Sequence, residues 1–196
     1  MVRAILERRK TMTRRIVKPQ PPEHCWQALF DNNGNGNFYQ NLDGGGDCDD
    51  VFPRGDNIIR CPYGTIGDRL WVRETFAPVG NPGRLGFYIR YKADEMKAIG
   101  AYGATKWKPS IFMPRSASRI TLEITNVRVE RLQEINQGDC FAEGIERRPN
   151  YENQSPSINA ETYGKDECIK LWESINGTGS WKTNPWVWVI EFKRVK

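Results

Sequence analysis

The first residues that could do chemistry lie close together near the start of the chain. Residues 7–15 read Glu-Arg-Arg-Lys-Thr-Met-Thr-Arg-Arg, which combines five cations with two hydroxyl groups and one carboxylate. Residues 1–18 contain seven of the 29 Lys and Arg but only one of the 24 Asp and Glu, so this segment is +6 while the whole chain is +5. The positive charge is therefore local, and it predicts a binding site for a phosphate-bearing or otherwise anionic partner.

Further candidate residues lie in two later stretches of the chain. Arg73 and Glu74 belong to the segment 67–76, which is predicted to be a turn followed by a strand. This strand has charged residues on both faces, as a strand beside a polar cleft would. Glu74 is either a second catalytic carboxylate or the ion-pair partner of a cation. Around Trp107 and Lys108, cations alternate with aromatic and apolar residues. This mixture suits base stacking and phosphate contact, but it equally suits a tryptophan that only packs on the fold.

The residues that ligate metals are too few and too scattered to predict a metal or cofactor site. No two of the five cysteines have the Cys-x-x-Cys spacing of zinc and redox sites. The one histidine, His24, stands beside Cys25, and a pair falls short of the three or four ligands that zinc needs. The acidic tract at 43–50 lacks the terminal glutamate of a calcium loop and predicts a surface loop. We expect reduced thiols, no metal and no cofactor.

The distribution of apolar residues also predicts where the protein resides. No apolar run approaches the roughly 20 residues that a membrane-spanning helix requires. The N-terminal apolar residues are interrupted by Arg3 and Glu7, so no signal peptide is predicted. We therefore expect a cytoplasmic protein with no membrane partner, and we leave its oligomeric state open.

The elements that position the candidate residues are predicted from the spacing of apolar side chains. Helices are predicted at 2–9, 137–143 and 165–175. The inward face of the last helix comprises Cys168, Ile169, Leu171, Trp172 and Ile175. Strands are predicted at 119–132, with a bulge or hairpin at 125–126, and at 185–195, which is apolar enough to be buried on both faces.

The order of these elements predicts the fold class. Strands and helices do not alternate as they do in a doubly wound sheet, so we expect an α+β fold. The prediction is a single domain over residues 1–196, built as a small β-barrel flanked by short helices. Long loop insertions are predicted at 19–57, 78–118 and 147–163.

Residues 8–15 also match a family motif. The chain resembles the ASCH domains, members of the PUA-like superfamily of small β-barrels, whose motif is Gly-x-Lys-x-x-(Glu or Thr)-x-Arg. Lys10, Thr13 and Arg15 fit this motif, whereas Arg8 stands where the family has glycine. Further matches cover about half the chain and include Gly67-Asp68, the segment 120–129, Ala142-Glu143-Gly144 and the closing Val189-Ile-Glu-Phe192.

Two more segments are similar to those of phage and prophage ASCH proteins. These segments are Arg73-Glu74-Thr75 and Trp186-Val187-Trp188. The family usually has a short strand before its first helix, whereas this chain begins at that helix. The resemblance therefore predicts a barrel in which one strand is missing or supplied differently. If the protein is encoded by a phage, its expected location is the bacterial host cell.

The resemblance implies an activity, because one bacterial ASCH branch is an acetylcytidine amidohydrolase. Its site residues correspond here to Lys10, Thr13 and Glu143. Thr13 would be the nucleophile and a neutral Lys10 its base, since nearby cations and burial disfavour protonated lysine. Glu143 would carry a proton to the leaving amine, and Arg15 or backbone N–H groups would hold the oxyanion. The cations that would bind substrate and disfavour protonated Lys10 are Arg8, Arg9, Arg14 and Arg15.

Two other functions remain open at this point. A loop of Lys, Arg and Thr binds phosphate well without turnover, so the same residues suit a module that binds RNA or a modified base. In that case Glu143 would only cap a helix or pair with Arg15. Alternatively, the loops at 31–50 and 80–115 would contact a phage or host protein, although the basic segment argues against this as the whole function.

Overall fold

The computed structural model describes most of the chain in eight segments. These are residues 1–21, 27–30, 35–39, 59–80, 83, 85–97, 106–146 and 163–195. The acidic tract at 43–50, His24, Cys25 and Cys48 lie outside the described residues, as does nearly all of the predicted insertion at 147–163. Predictions about those residues stay predictions.

The described residues form nine strands and three α-helices, with short 3₁₀ turns between some of them. The strands are β1 Met12–Ile16, β2 Gln27–Phe30, β3 Asn35–Tyr39, β4 Ile59–Arg60, β5 Arg69–Trp71, β6 Phe76–Val79, β7 Tyr88–Tyr91, β8 Thr121–Arg131 and β9 Trp186–Arg194. The helices are α1 Val2–Leu6, α2 Gln137–Ala142 and α3 Tyr163–Asn176. The α+β class is therefore confirmed.

The main sheet has four antiparallel strands and curls into half of a barrel. Its strand order is β1-β9-β8-β5, so β1 lies at one edge. Strand β9 is central because its residues are apolar on both faces. Trp188 and Ile190 pack in the hollow of the sheet with Val17, whereas Val187 and Val189 pack against α2 and α3 on the outside. The predicted burial of both faces of this strand is confirmed.

The strand predicted at 119–132 from alternating apolar and polar residues is confirmed as strand β8. Its pairing with β9 shifts by one residue between Ile124 and Asn126. The irregularity predicted at 125–126 is therefore a bulge within one continuous strand and not a hairpin.

Two predicted elements differ in extent from those in the structure. Helix α1 ends at Leu6 instead of residue 9, since the chain turns there and Arg8 adopts a positive φ of 60°. The strand predicted after the turn in 67–76 was wrong beyond Trp71, because residues 72–75 leave the sheet and β6 begins a separate hairpin with β7. Ile175 was also placed wrongly, because it is 57% exposed near the end of α3.

Regular structure also lies within two of the predicted insertions. In the insertion at 19–57, β2 and β3 pair with each other, and β3 also pairs with β4, which follows the insertion. In the insertion at 78–118, β7 pairs with β6. In the second insertion, Met113 and Ala117 are buried against Phe76. In the described part of the chain, no helix is both long and apolar enough to cross a membrane.

Candidate active site

The candidate site is a cavity of about 770 Å³ beside strand β1, the edge strand of the main sheet. This volume is in the range of pockets that enclose a small organic ligand. Five cations line it, together with one carboxylate, that of Glu143. The cations are Lys10, Arg14, Arg15, Lys18 and Arg73. Apolar and aromatic side chains supply much of the remaining wall, including Tyr63, Trp172 and Trp181.

Lys10 is held at the cavity by the turn that follows α1. The backbone N–H groups of Arg9 and Lys10 both donate to the carbonyl of Ala4, at 2.8 and 2.9 Å. The N–H of Thr11 then donates to the carbonyl of Ala142 at 2.8 Å, which ties the turn to the end of α2. Lys10 therefore enters the site beside Glu143, the residue that ends α2.

Lys10 and Glu143 form a buried pair. Lys10 Nζ donates to Glu143 Oε2 at 2.7 Å and to the Glu143 carbonyl at 2.8 Å. Only 6% of the Lys10 side chain and 10% of the Glu143 side chain are exposed. Burial lowers the pKa of Lys10 below the ordinary lysine value; Glu143 opposes this shift, and the charge of Arg15 adds to it. Lys10 is thus a buried amine whose proton is easier to remove than that of a surface lysine.

Arg14 approaches the Glu143 carboxylate at Oε1, the oxygen that Lys10 does not contact. Its Nη2 donates to Asp139 at 2.7 Å and to Glu130 at 3.2 Å, while Nη1 approaches Glu143 Oε1 at 3.5 Å. Only 3% of the Arg14 side chain is exposed. Arg14 was predicted to bind substrate directly. The structure instead gives it protein carboxylates as partners, although it still forms part of the cavity wall.

Thr13 lines the same cavity without contacting Lys10 through a hydrogen bond. It pairs with Ile190 across the sheet, so its side chain lies on the hollow face, opposite to Met12 and Arg14. Among the described residues no hydrogen bond to the Thr13 hydroxyl is found, and Lys10 Nζ donates only to Glu143. The three predicted catalytic residues therefore meet at one cavity, but only two of them contact each other.

Three cations of the cavity wall have no carboxylate partner in the described part of the chain. They are Arg15, Lys18 and Arg73, and all three are exposed. Arg73 donates to the carbonyl of Ile111 at 3.3 Å, a contact that leaves its charge uncompensated. Lys18 was not among the candidates. The only feature of the sequence that could have indicated a binding role for Lys18 is its position in the basic segment 1–18.

Two of the predicted substrate-binding cations, Arg8 and Arg9, do not line the cavity. Arg9 Nη2 lies 2.6 Å from Glu7 and 3.2 Å from Glu146, and its Nη1 donates to the Gly144 carbonyl. Arg9 therefore braces the turn that carries Lys10. The Arg8 side chain is exposed.

The later candidates Glu74, Trp107 and Lys108 also lie outside the cavity wall. Glu74 is only 1% exposed and forms an ion pair with Arg119 at 2.9 Å, which favours the ion-pair interpretation over a catalytic carboxylate. Trp107 has the cations Arg90 and Lys92 over its ring, at 5.6 and 5.4 Å from the centroid. Its ring therefore packs against side chains of this chain.

Comparisons of the chain with protein-family models, with curated proteins and with solved structures find no match. Among the described residues, no cluster of His, Cys, Asp and Glu is arranged to hold a metal ion. The three described cysteines are free thiols, and Cys168 lies at the cavity wall in contact with Cys140.

The backbone of Arg8 yields a prediction about stability. Its φ of 60° lies in the left-handed region, where a side chain costs about 1–2 kcal/mol and glycine costs little. Arg8→Gly should therefore keep or raise the free energy of unfolding, by up to about 1 kcal/mol after the extra chain entropy of glycine. Denaturant unfolding measures this value. Arg8→Ala is the control, because it removes the same side chain and keeps the strain. A free energy of unfolding for Arg8→Gly that is lower than that for Arg8→Ala would contradict the prediction.

Proposed function

We propose that this cavity hydrolyses an amide on an acylated nucleobase or nucleoside, with acetylcytidine as the model substrate. The observation that carries the proposal is the buried Lys10–Glu143 pair, which lines the same cationic cavity as Thr13. A buried lysine with a lowered pKa can act as a base, and a carboxylate at 2.7 Å can take a proton onward from it. The cavity also has the size and the aromatic wall that a nucleobase requires.

In the proposed reaction, neutral Lys10 accepts the proton of the Thr13 hydroxyl. The Thr13 oxygen forms a bond to the acyl carbon, and Arg15 stabilises the negative charge on the acyl oxygen. The C–N bond then breaks, and the proton moves from Lys10 through Glu143 to the leaving amine. Because Lys10 and Thr13 share no hydrogen bond in the free protein, the first proton transfer takes place through one water or after substrate binding.

The second half of the proposed reaction restores the threonine. Water attacks the acyl-Thr13 ester and gives its proton to the Lys10–Glu143 pair. The ester C–O bond breaks, the Thr13 oxygen regains a proton, and acetate leaves. Cytidine and acetate are then the only products, and no cofactor is consumed. Arg14 is a positioning residue in this scheme, because it holds Glu143 from the side opposite to Lys10.

We also propose that the fold is an ASCH domain with a PUA-like barrel. Two observations support this. The residue at the glycine position of the motif, Arg8, has the left-handed backbone that glycine favours. The main sheet is antiparallel and curls into half a barrel.

A second candidate function is binding of RNA or a modified base without turnover. The absence of a Lys10–Thr13 hydrogen bond among the described residues favours this candidate, since the pair would then only position a ligand. A pure protein-interaction role is the third candidate, and the uncompensated cations of the cavity favour it least.

The direct test of the nucleophile is a comparison of Thr13→Ala with Thr13→Ser. Turnover of acetylcytidine should fall by about 10³-fold in Thr13→Ala and by much less in Thr13→Ser, which keeps a hydroxyl group. Mass spectrometry of rapidly quenched reactions should find an acetyl group on Thr13. Equal turnover in the Ala and wild-type proteins would exclude Thr13 as the nucleophile.

A further inference from the structure

The cations at the cavity differ in whether their charge is compensated. Lys10 and Arg14 are buried and paired with Glu143. Arg15, Lys18 and Arg73 are exposed and have no carboxylate partner in the described residues. Exposed cations that converge on a cavity without such partners attract a ligand that carries negative charge. A free acylated nucleoside carries none, and the proposed reaction uses only Arg15 of these three, so Lys18 and Arg73 exceed what that substrate needs.

A second exposed arginine, Arg115, lies close to Arg73 on the surface next to the cavity. The Arg73 guanidinium lies 4.8 Å from the centroid of the Trp71 ring, and that of Arg115 lies 5.7 Å from the same centroid. Arg73 also donates to the carbonyl of Ile111. Arg115 is exposed and, within the part of the chain that is described, has no carboxylate partner. The two arginines thus belong to one surface that begins at the cavity wall.

Two large apolar side chains lie on the same surface. Ile111 and Phe112 are each 68% exposed, although a folded chain usually buries such residues. We call Trp71, Arg73, Ile111, Phe112 and Arg115 the outer patch. Exposed aromatic and apolar groups between cations are typical of surfaces on which bases stack while the phosphates contact Arg and Lys.

We propose that the substrate is single-stranded nucleic acid, with the acylated base in the cavity and neighbouring nucleotides on the outer patch. The chemistry at the cavity rests on the proposed amidohydrolase function, whereas the binding of the strand does not. Lys18 and Arg73 contact phosphates at the cavity mouth, while Arg15 remains at the acyl oxygen. Arg115 contacts a phosphate further along the strand, and Phe112 stacks on a neighbouring base.

The test compares binding and turnover for a free nucleoside and for an oligonucleotide. Acetylcytidine and short single-stranded RNA and DNA that contain one acetylated cytosine are the substrates. The variants are Phe112→Ser and Arg115→Gln. Lys170→Gln is the matched control, because it removes one exposed charge from α3, away from the outer patch. Fluorescence anisotropy measures the affinity for labelled oligonucleotide as a function of salt concentration.

The expected results separate the two ligand classes. Wild-type kcat/KM should be higher for an oligonucleotide than for the nucleoside. Comparison of the RNA and DNA oligonucleotides shows which of the two nucleic acids is preferred. The ratio of oligonucleotide to nucleoside kcat/KM should fall about tenfold in Phe112→Ser, the loss expected for one stacked base. In Arg115→Gln the slope of log affinity against log salt should become shallower by about 0.7, the value for one phosphate contact.

The outcomes distinguish this inference from the proposed function. Turnover of the nucleoside without any preference for an oligonucleotide, or variants that behave like Lys170→Gln, would overturn the inference and leave the amidohydrolase intact. Absence of turnover, with oligonucleotide binding that weakens in both variants, would support the inference and reject the amidohydrolase.

Discussion

Replacement of Lys10 by methionine is expected to lower kcat for acetylcytidine hydrolysis by about 10³-fold. Methionine fills a similar volume but cannot accept a proton, and general-base catalysis contributes roughly 10²–10⁴-fold to a rate. Chromatographic measurement of cytidine release gives the value. Lys170→Met is the control, since it exchanges the same residue types on the exposed side of α3. A Lys10→Met protein that retains more than a tenth of wild-type kcat would contradict the role of Lys10 as base.

The pH dependence of the wild-type reaction tests the same residue without a substitution. Only neutral Lys10 can act as the base, so kcat/KM should rise with pH as Lys10 loses its proton. Because burial lowers the pKa of Lys10, the rise should level off below the ordinary pKa of a lysine. If kcat/KM does not change with pH below the ordinary pKa of a lysine, deprotonation of Lys10 is not required for the reaction.

Replacement of Arg14 by methionine is expected to cost about 3–5 kcal/mol of unfolding free energy. This change removes the cation shared by Glu130, Asp139 and Glu143. Asp139 then loses its ion-pair partner among the described residues, whereas Glu143 keeps Lys10 and Glu130 keeps Arg128. For a chain of this length, such a loss lowers Tm by about 10 °C. Thermal unfolding followed by circular dichroism measures the shift.

Arg9 provides the matched control for Arg14. Arg9 also contacts two carboxylates, but its partners Glu7 and Glu146 are well exposed. Exposed ion pairs contribute about 0–1 kcal/mol, so Arg9→Met should shift Tm by only a few degrees. Equal shifts in the two variants would show that the buried network does not stabilise the site as proposed.

Local sequence patterns predicted the strands in which the pattern of buried and exposed side chains stays regular along the strand. Strand β8 was predictable because apolar and polar residues alternate along it, and its bulge because that alternation changes phase near residue 125. Strand β9 was predictable because both of its faces are apolar. The strand predicted through residue 76 ended early, since residues 72–75 bury the charged Glu74 against Arg119 instead of joining the sheet.

The candidate site was predictable only in part. Lys10, Thr13 and Glu143 came from short motifs, and all three line the same cavity. The role of Arg14 could not be predicted, because its carboxylate partners lie 116–129 positions away in the chain and depend on how β1 and α2 meet. The sequence also could not predict that Arg15 lines the cavity whereas Arg9 does not, because both are cations of one basic segment. Arg9 lies in the turn after α1, and Arg15 lies in strand β1.

The central claim is that the Lys10–Glu143 pair and Thr13 form a site that cleaves an acyl amide. The most direct measurement is incubation of the purified protein with acetylcytidine and with acetylated RNA, followed by chromatography of the products. We predict release of cytidine and acetate in equal amounts, and loss of this release in Lys10→Met and Thr13→Ala. Intact substrate that is bound by the protein but not cleaved, at every pH tested, would contradict the claim and identify the cavity as a binding site.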